Sequence, residues 1–181
     1  MEEIEAHASP ALPVDDLNER IGVLSRREVE ARILAPLVEA LSDRFGRAAV
    51  LDVLRGRLVA VATEQGAQLA MTLGGDSLGD FSRGLEAWTR GGALEIELIE
   101  SSDELLAFDV TRCRYAELYR ALGIPELGAL LSCNRDAALI EGFRPGVEFV
   151  RTQTIMAGAP CCDFRYRLPA RGPASEEGTT A

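Results

Sequence analysis

The hydrophobic period of this chain changes at Gly91-Gly92. Before these glycines apolar residues recur at helical spacing. After them Leu94, Ile96 and Leu98 alternate with Glu95 and Glu97, and beyond the polar run Ser101-Ser102-Asp103-Glu104 the residues Leu106, Phe108 and Val110 alternate with Ala107 and Asp109. A period of two places every second side chain on one face of a strand, so the stretch predicts a β-hairpin with one buried face. Helices that run into such a hairpin must bury their apolar side on a sheet.

Upstream, Ser25 and Glu28 have the form of a capping box, and Val29, Ile33, Leu34, Leu37, Val38 and Leu41 follow at helical spacing, with Pro36 a point for a kink. Gly46 reads as a stop, and Arg47 to Met71 predicts a second, long helix whose alanines 60, 62, 67 and 70 make one side small enough for close approach. Asp76 is placed to cap a third helix carrying Leu78, Phe81, Leu85 and Trp88. Downstream of the hairpin, Cys113 to Leu122 and Pro125 to Leu131 return to helical spacing, and Asp136 to Glu141 fits another turn or two. A second alternation over Val147 to Thr154 and Cys162 to Leu168 predicts a second hairpin. The sum is an α+β fold: N-terminal helices packed on a short antiparallel sheet of about four strands. We expect a flexible arm over residues 1–24, one domain over 25–168 and a flexible tail over 169–181.

Composition narrows the chemistry. The 19 basic residues are all arginine, which removes lysine Schiff bases and a phosphate-loop lysine, and the only histidine is His7, in the arm. A net charge of −10 disfavours nucleic acid and anionic membrane as partners. Without an apolar N-terminal run the sequence points to a cytoplasmic protein, where four cysteines read as reactive, metal-binding or buried before they read as disulfides. No glycine pattern fits a nucleotide, and no cofactor is expected.

The remaining chemistry lies between Asp109 and Tyr166, where all four cysteines sit. Cys113 stands at a strand-to-helix junction, where its sulfur meets backbone donors, or it packs as a small hydrophobe. Cys133 and Asp136, three apart, share a face on a helical turn, so the carboxylate could pass a proton to a leaving group; equally, Asp136 could cap the following helix. Cys162 shares a strand face with Phe164 and Tyr166, while Cys161 and Asp163 face the other way. Arg151, beside Thr152, is the candidate for gripping a substrate carboxylate. Three thiols from separate elements could hold zinc only with a carboxylate as fourth ligand. We expect a pocket between sheet and helices lined by Cys113, Cys133 and Cys162.

The runs FDVTRCRYAELYRALGIPELGALLSCNRDAALIEGF and VEFVRTQTIMAGAPCCDFRY resemble the L-2-amino-thiazoline-4-carboxylic acid hydrolase family. The features that match are Thr-Arg-Cys with Glu117 downstream, Cys133 to Asp136, Arg-Thr-x-Thr at Arg151, and Gly158 leading to Cys162-Asp163-Phe164. The resemblance implies a hydrolase that opens a C–N bond in a small cyclic amidine- or imine-like substrate. Its catalytic candidates are Cys113, Cys133, Asp136, Cys162 and Asp163, with a thiolate of Cys133 or Cys113 as nucleophile; Arg151, Glu117, Thr152 and Gly158 are candidates for binding substrate. The alternative is a small-ligand or zinc-binding protein using the same pocket without turnover. Beyond a small-molecule substrate no partner is specified, and a homo-oligomer is left open.

Overall fold

The computed structural model describes residues 16–169. Helix α1 (Leu17–Ile21) turns directly into α2 (Val23–Phe45) at Gly22, whose φ of 78° is open to glycine at little cost. Helical structure therefore begins ahead of Ser25, inside the segment expected as an arm; residues 1–15 of that arm and 170–181 of the tail lie outside the described residues. Ser25 and Glu28 form no capping box, because Gly22 starts the helix without a side-chain cap. The stripe Val29, Ile33, Leu37 and Leu41, expected to face the core, is exposed. The buried face of α2 carries Val23, Arg27, Ala31 and Val38 instead, and Pro36 is held within the helix.

Helix α3 (Arg47–Leu73) packs along α8 (Asp136–Phe143) with no side chain between them at two points. A Cβ on Gly66 would overlap the Leu139 carbonyl oxygen and lie 2.7 Å from the Phe143 nitrogen; a Cβ on Gly142 would overlap the Thr63 carbonyl oxygen. The close approach predicted for one side of the second helix thus occurs at Ala62 and Gly66, both buried. Helix α4 (Leu78–Gly84) is capped by Ser77 and not by Asp76: Ser77 Oγ accepts from the Asp80 nitrogen at 3.1 Å, and the Asp80 carboxylate accepts from the Ser77 nitrogen at 3.0 Å. Asp76 pairs with Arg144. A short α5 (Glu86–Thr89) leads to the sheet.

Strands β1 (Leu94–Ser101), β2 (Leu105–Cys113), β3 (Glu148–Val150) and β4 (Cys162–Arg167) form one antiparallel sheet in the order β1-β2-β4-β3. The two hairpins join through β2 and β4, with Val110 opposite Cys162 and Phe108 opposite Phe164. Between the hairpins come α6 (Arg114–Ala121), α7 (Pro125–Leu131), a 3-10 turn over Cys133–Arg135 and α8. The architecture is α+β.

The strand expected over Val147 to Thr154 stops at Val150. Asp163 takes over: its carboxylate accepts from the backbone nitrogens of Thr152 and Gln153 at 3.0 and 2.9 Å, where a ladder would have offered carbonyls. Two clusters make the core. One joins α2, α6 and α7 around Tyr115, Tyr119, Leu127 and Leu131; the other joins the sheet to α4 and α8 around Phe81, Phe108, Ile140, Phe143 and Tyr166. Leu94, Cys113 and Ile155 pack against both, and they mark the seam. Among the described residues no helix is long and apolar enough to cross a membrane.

Candidate active site

A cavity of about 100 Å³ opens at that seam. An apolar void of about 150 Å³ admits one benzene ring, so on this scale the space limits an occupant to one small molecule. Cys113, Cys133, Asp136, Arg151 and Cys162 all line it, together with Arg27, Gln65 and Arg135. Six separate elements and the segment after β3 bring these side chains in, which is why no single sequence motif contains them.

Each thiol has its own anchorage. Cys113 ends β2 and caps α6, its sulfur accepting from the Ala116 nitrogen at 3.4 Å. The Cys162 sulfur, at the start of β4, accepts from the Ile155 nitrogen at 3.2 Å. Cys133 opens the 3-10 turn that feeds α8, and Asp136 follows in the first turn of α8. Arg151 ties the two together, donating from one arm to the Asp136 carboxylate and from the other to the Cys133 carbonyl at 3.0 Å. Its guanidinium lies 5.2 Å from the centre of the Phe164 ring, which fixes its plane.

The electrostatics of the cavity disfavour a standing thiolate. Burial, reinforced by the Asp136 charge and only partly offset by Arg151, pushes Cys133 up to about 12. Burial pushes Cys162 up to about 11 against the Ile155 nitrogen, and raises Cys113 against the Ala116 nitrogen. All three are thiols at neutral pH. Asp136 moves in the useful direction: burial raises it to about 6, with Arg151 opposing. Its side chain keeps 30% of its surface open and lines the cavity. Arg151 stays protonated throughout, so the titration of the pair is that of Asp136.

The other residues singled out in the sequence lie outside the cavity. Asp163 is taken up by Thr152 and Gln153, including a 2.6 Å bond from the Thr152 hydroxyl, and so is not free to carry a proton. Thr152 is exposed. Glu117 is exposed and paired with Arg112 at 2.9 Å. Gly158 supplies a left-handed turn, φ 99°, at the end of a 3-10 turn. Cys161 accepts from the Gln153 side chain at 2.9 Å. Among the described residues no group of three or more Cys, His, Asp or Glu is placed to hold a metal ion, so the zinc reading has no ligand set to stand on.

The profile of the L-2-amino-thiazoline-4-carboxylic acid hydrolase family matches residues 26–166. The chain belongs to this family. The thiazoline-carboxylate hydrolase span includes every charged and thiol side chain of the cavity, from Arg27 to Cys162. A comparison with curated proteins finds no match. Arg135 lines the cavity beside Cys133 and Asp136, and Arg27, which also lines it, was not legible as a cavity residue. Arg27 is spaced four residues from both Val23 and Ala31, the only signal that it shares their buried face.

Proposed function

We propose that the protein hydrolyses a small cyclic amidine- or imine-like carboxylate, opening a C–N bond of the ring with Asp136 as the proton carrier. The observation that carries this reading is Asp136, the one carboxylate that lines the cavity among the described residues, raised to about 6 and fixed by Arg151, among thiols that stay protonated. A group with a pKa just below neutral is ionised at working pH yet basic enough to accept a proton. Water adds across the ring C=N bond, one of its protons passing through Asp136 to the nitrogen; Asp136 then takes the remaining hydroxyl proton as the carbonyl forms and returns it to the nitrogen as the C–N bond breaks. Arg151 holds the carboxylate in place and compensates its charge before the transfer.

The thiolate nucleophile that the sequence suggested fits less well. A thiol near 12 is ionised to roughly one part in 10⁵ at neutral pH. Replacing Cys113, Cys133 or Cys162 singly with serine is therefore expected to keep kcat for ring opening within about tenfold. Loss beyond about a hundredfold in one folded variant, with Asp136→Asn still active, would move the nucleophile to that sulfur. Tight binding of a thiazoline carboxylate with no turnover at all would favour the non-catalytic alternative.

A further inference from the structure

Two arginines that the proton transfer does not use face the same cavity. Arg27 and Arg135, at 5% and 7% exposure, are the buried charged residues among those described. Both line the cavity wall. Arg27 donates to Glu30, which also accepts from Arg26 at 2.9 Å, so one carboxylate serves two guanidinium groups. Arg135 has still less. Its hydrogen bond goes to the neutral side chain of Gln65, and among the described residues no carboxylate comes within ion-pair distance of it. Glu30 acts on it only from further away, while burial and the nearby Arg27 charge push its pKa down to about 10.

A buried guanidinium has five donors to satisfy and is costly to leave without a counter-charge. In a structural ion pair the counter-charge would come from the chain. Here Arg151 is answered by Asp136, and Arg27 shares Glu30 with Arg26, while Arg135 meets the cavity with no carboxylate beside it, in a molecule whose net charge is −10. The local excess is cationic although the whole is anionic, so the wall is complete only with an anion in it. Arg151 is not the place for that anion, since one arm is on Asp136 and the other on the Cys133 carbonyl.

We propose that Arg135, backed by Arg27, is the seat of the substrate carboxylate, so that the ring is held between this seat and Asp136. This rests on the hydrolase reading above, and it reassigns the carboxylate grip that the sequence placed on Arg151. Arg135 then sets specificity: it selects ring compounds that carry a carboxylate over those that lack one.

The test compares 2-amino-thiazoline-4-carboxylate with 2-amino-thiazoline, which has the ring without the acid. Arg135→Gln is expected to lower kcat/KM for the acid about a hundredfold, mainly through KM, and to change that for the decarboxylated ring no more than about threefold. Arg135→Lys keeps the charge without the planar fork and should lose about tenfold on the acid alone. Calorimetric titration of the acid into Asp136→Asn, with and without Arg135→Gln, reads the seat independently of turnover. A binding loss of about a hundredfold there supports the seat even if no compound is opened, which would sink the hydrolase reading by itself. Equal losses on both compounds, or unchanged binding of the acid, would overturn the assignment; melting temperatures of both Arg135 variants close to wild type identify the loss as one of recognition.

Discussion

Replacing Gly142 with alanine is expected to destabilise the domain by about 3 kcal/mol or more, and Gly66→Ala by a similar amount. An added Cβ at Gly142 overlaps the Thr63 carbonyl oxygen and comes within 2.7 Å of its carbon, and all of these atoms are backbone. No rotamer change relieves such a clash. The two helices would have to move apart, opening a gap along the seam from Ala62 to Phe143 and giving up dispersion contacts on both sides. At this chain length a loss of that size lowers Tm by roughly 10 °C. Gly56 is the control. It is exposed in α3, the helix of Gly66, nothing lies within 4 Å of its Cβ position, and Gly56→Ala should stabilise by up to about 1 kcal/mol. Thermal melts that showed Gly142→Ala equal to wild type would disprove the close packing. The seam also bears on function, because α8 starts at Asp136 and α3 carries Gln65 on the opposite wall. Any Gly142 variant that folds should lose activity out of proportion to its exposed area, since a shift of about 1 Å at a reacting group can cost a hundredfold.

The parts of the fold that were legible are those where burial alternates residue by residue. In β2 and β4 the face of Leu106, Phe108 and Val110 lies against that of Tyr166, Phe164 and Cys162, so the period was legible although Ala107 on the other face is buried too, and the pairing of β2 with β4 was not. Helix α2 was legible as a helix but not in its orientation. Its apolar stripe is the better hydrophobic pattern, yet the helix buries the face of Arg27, because the cavity wall takes a charge there. Helical periodicity records which residues share a face, and the partner decides which face is covered. The glycines of α3 and α8 mislead in the opposite sense: by propensity they weaken a helix, whereas here they set the distance between two.

The same holds for the candidate site. Cys133 and Asp136 come to one cavity, as their spacing allows, because a 3-10 turn runs straight into α8. Asp163 does not. Its role is set by the missing ladder after Val150, and only the path of the chain shows that two backbone donors are left there to satisfy. Arg135 stood in view between Cys133 and Asp136, but a surface arginine and a buried, unpaired one look alike until the neighbouring carboxylates are placed.

Asp136→Asn is expected to lower kcat by about 10²- to 10⁴-fold while leaving the cavity shape intact, since the amide is isosteric but cannot take up a proton. The pH dependence is the sharper part of the prediction. In wild type, kcat/KM should rise with pH through about 6, as Asp136 ionises, and level off above 7. Stability should respond in the opposite sense. Asp136 is raised in the folded state relative to an unfolded carboxyl near 3.9, so the native protein holds this proton more tightly than the unfolded chain does. Its contribution is fully present below about pH 4 and is lost as pH rises through about 6, for a total of about 3 kcal/mol. Other carboxylates run the other way: Glu30 is lowered, despite its burial, by Arg27 and Arg26, so its stabilisation is lost as pH falls. The measurement is therefore the difference between wild type and Asp136→Asn in denaturant unfolding at pH 4.5 and at pH 7.5. The wild type should lose stability relative to the variant between those two values. A difference that is flat with pH, or a kcat/KM limb that persists near pH 6 in Asp136→Asn, would place the titrating group elsewhere. If both shifts appear together, the chain accepts a less stable native state at neutral pH in order to keep a deprotonated carboxylate, fixed by Arg151, beside the substrate ring.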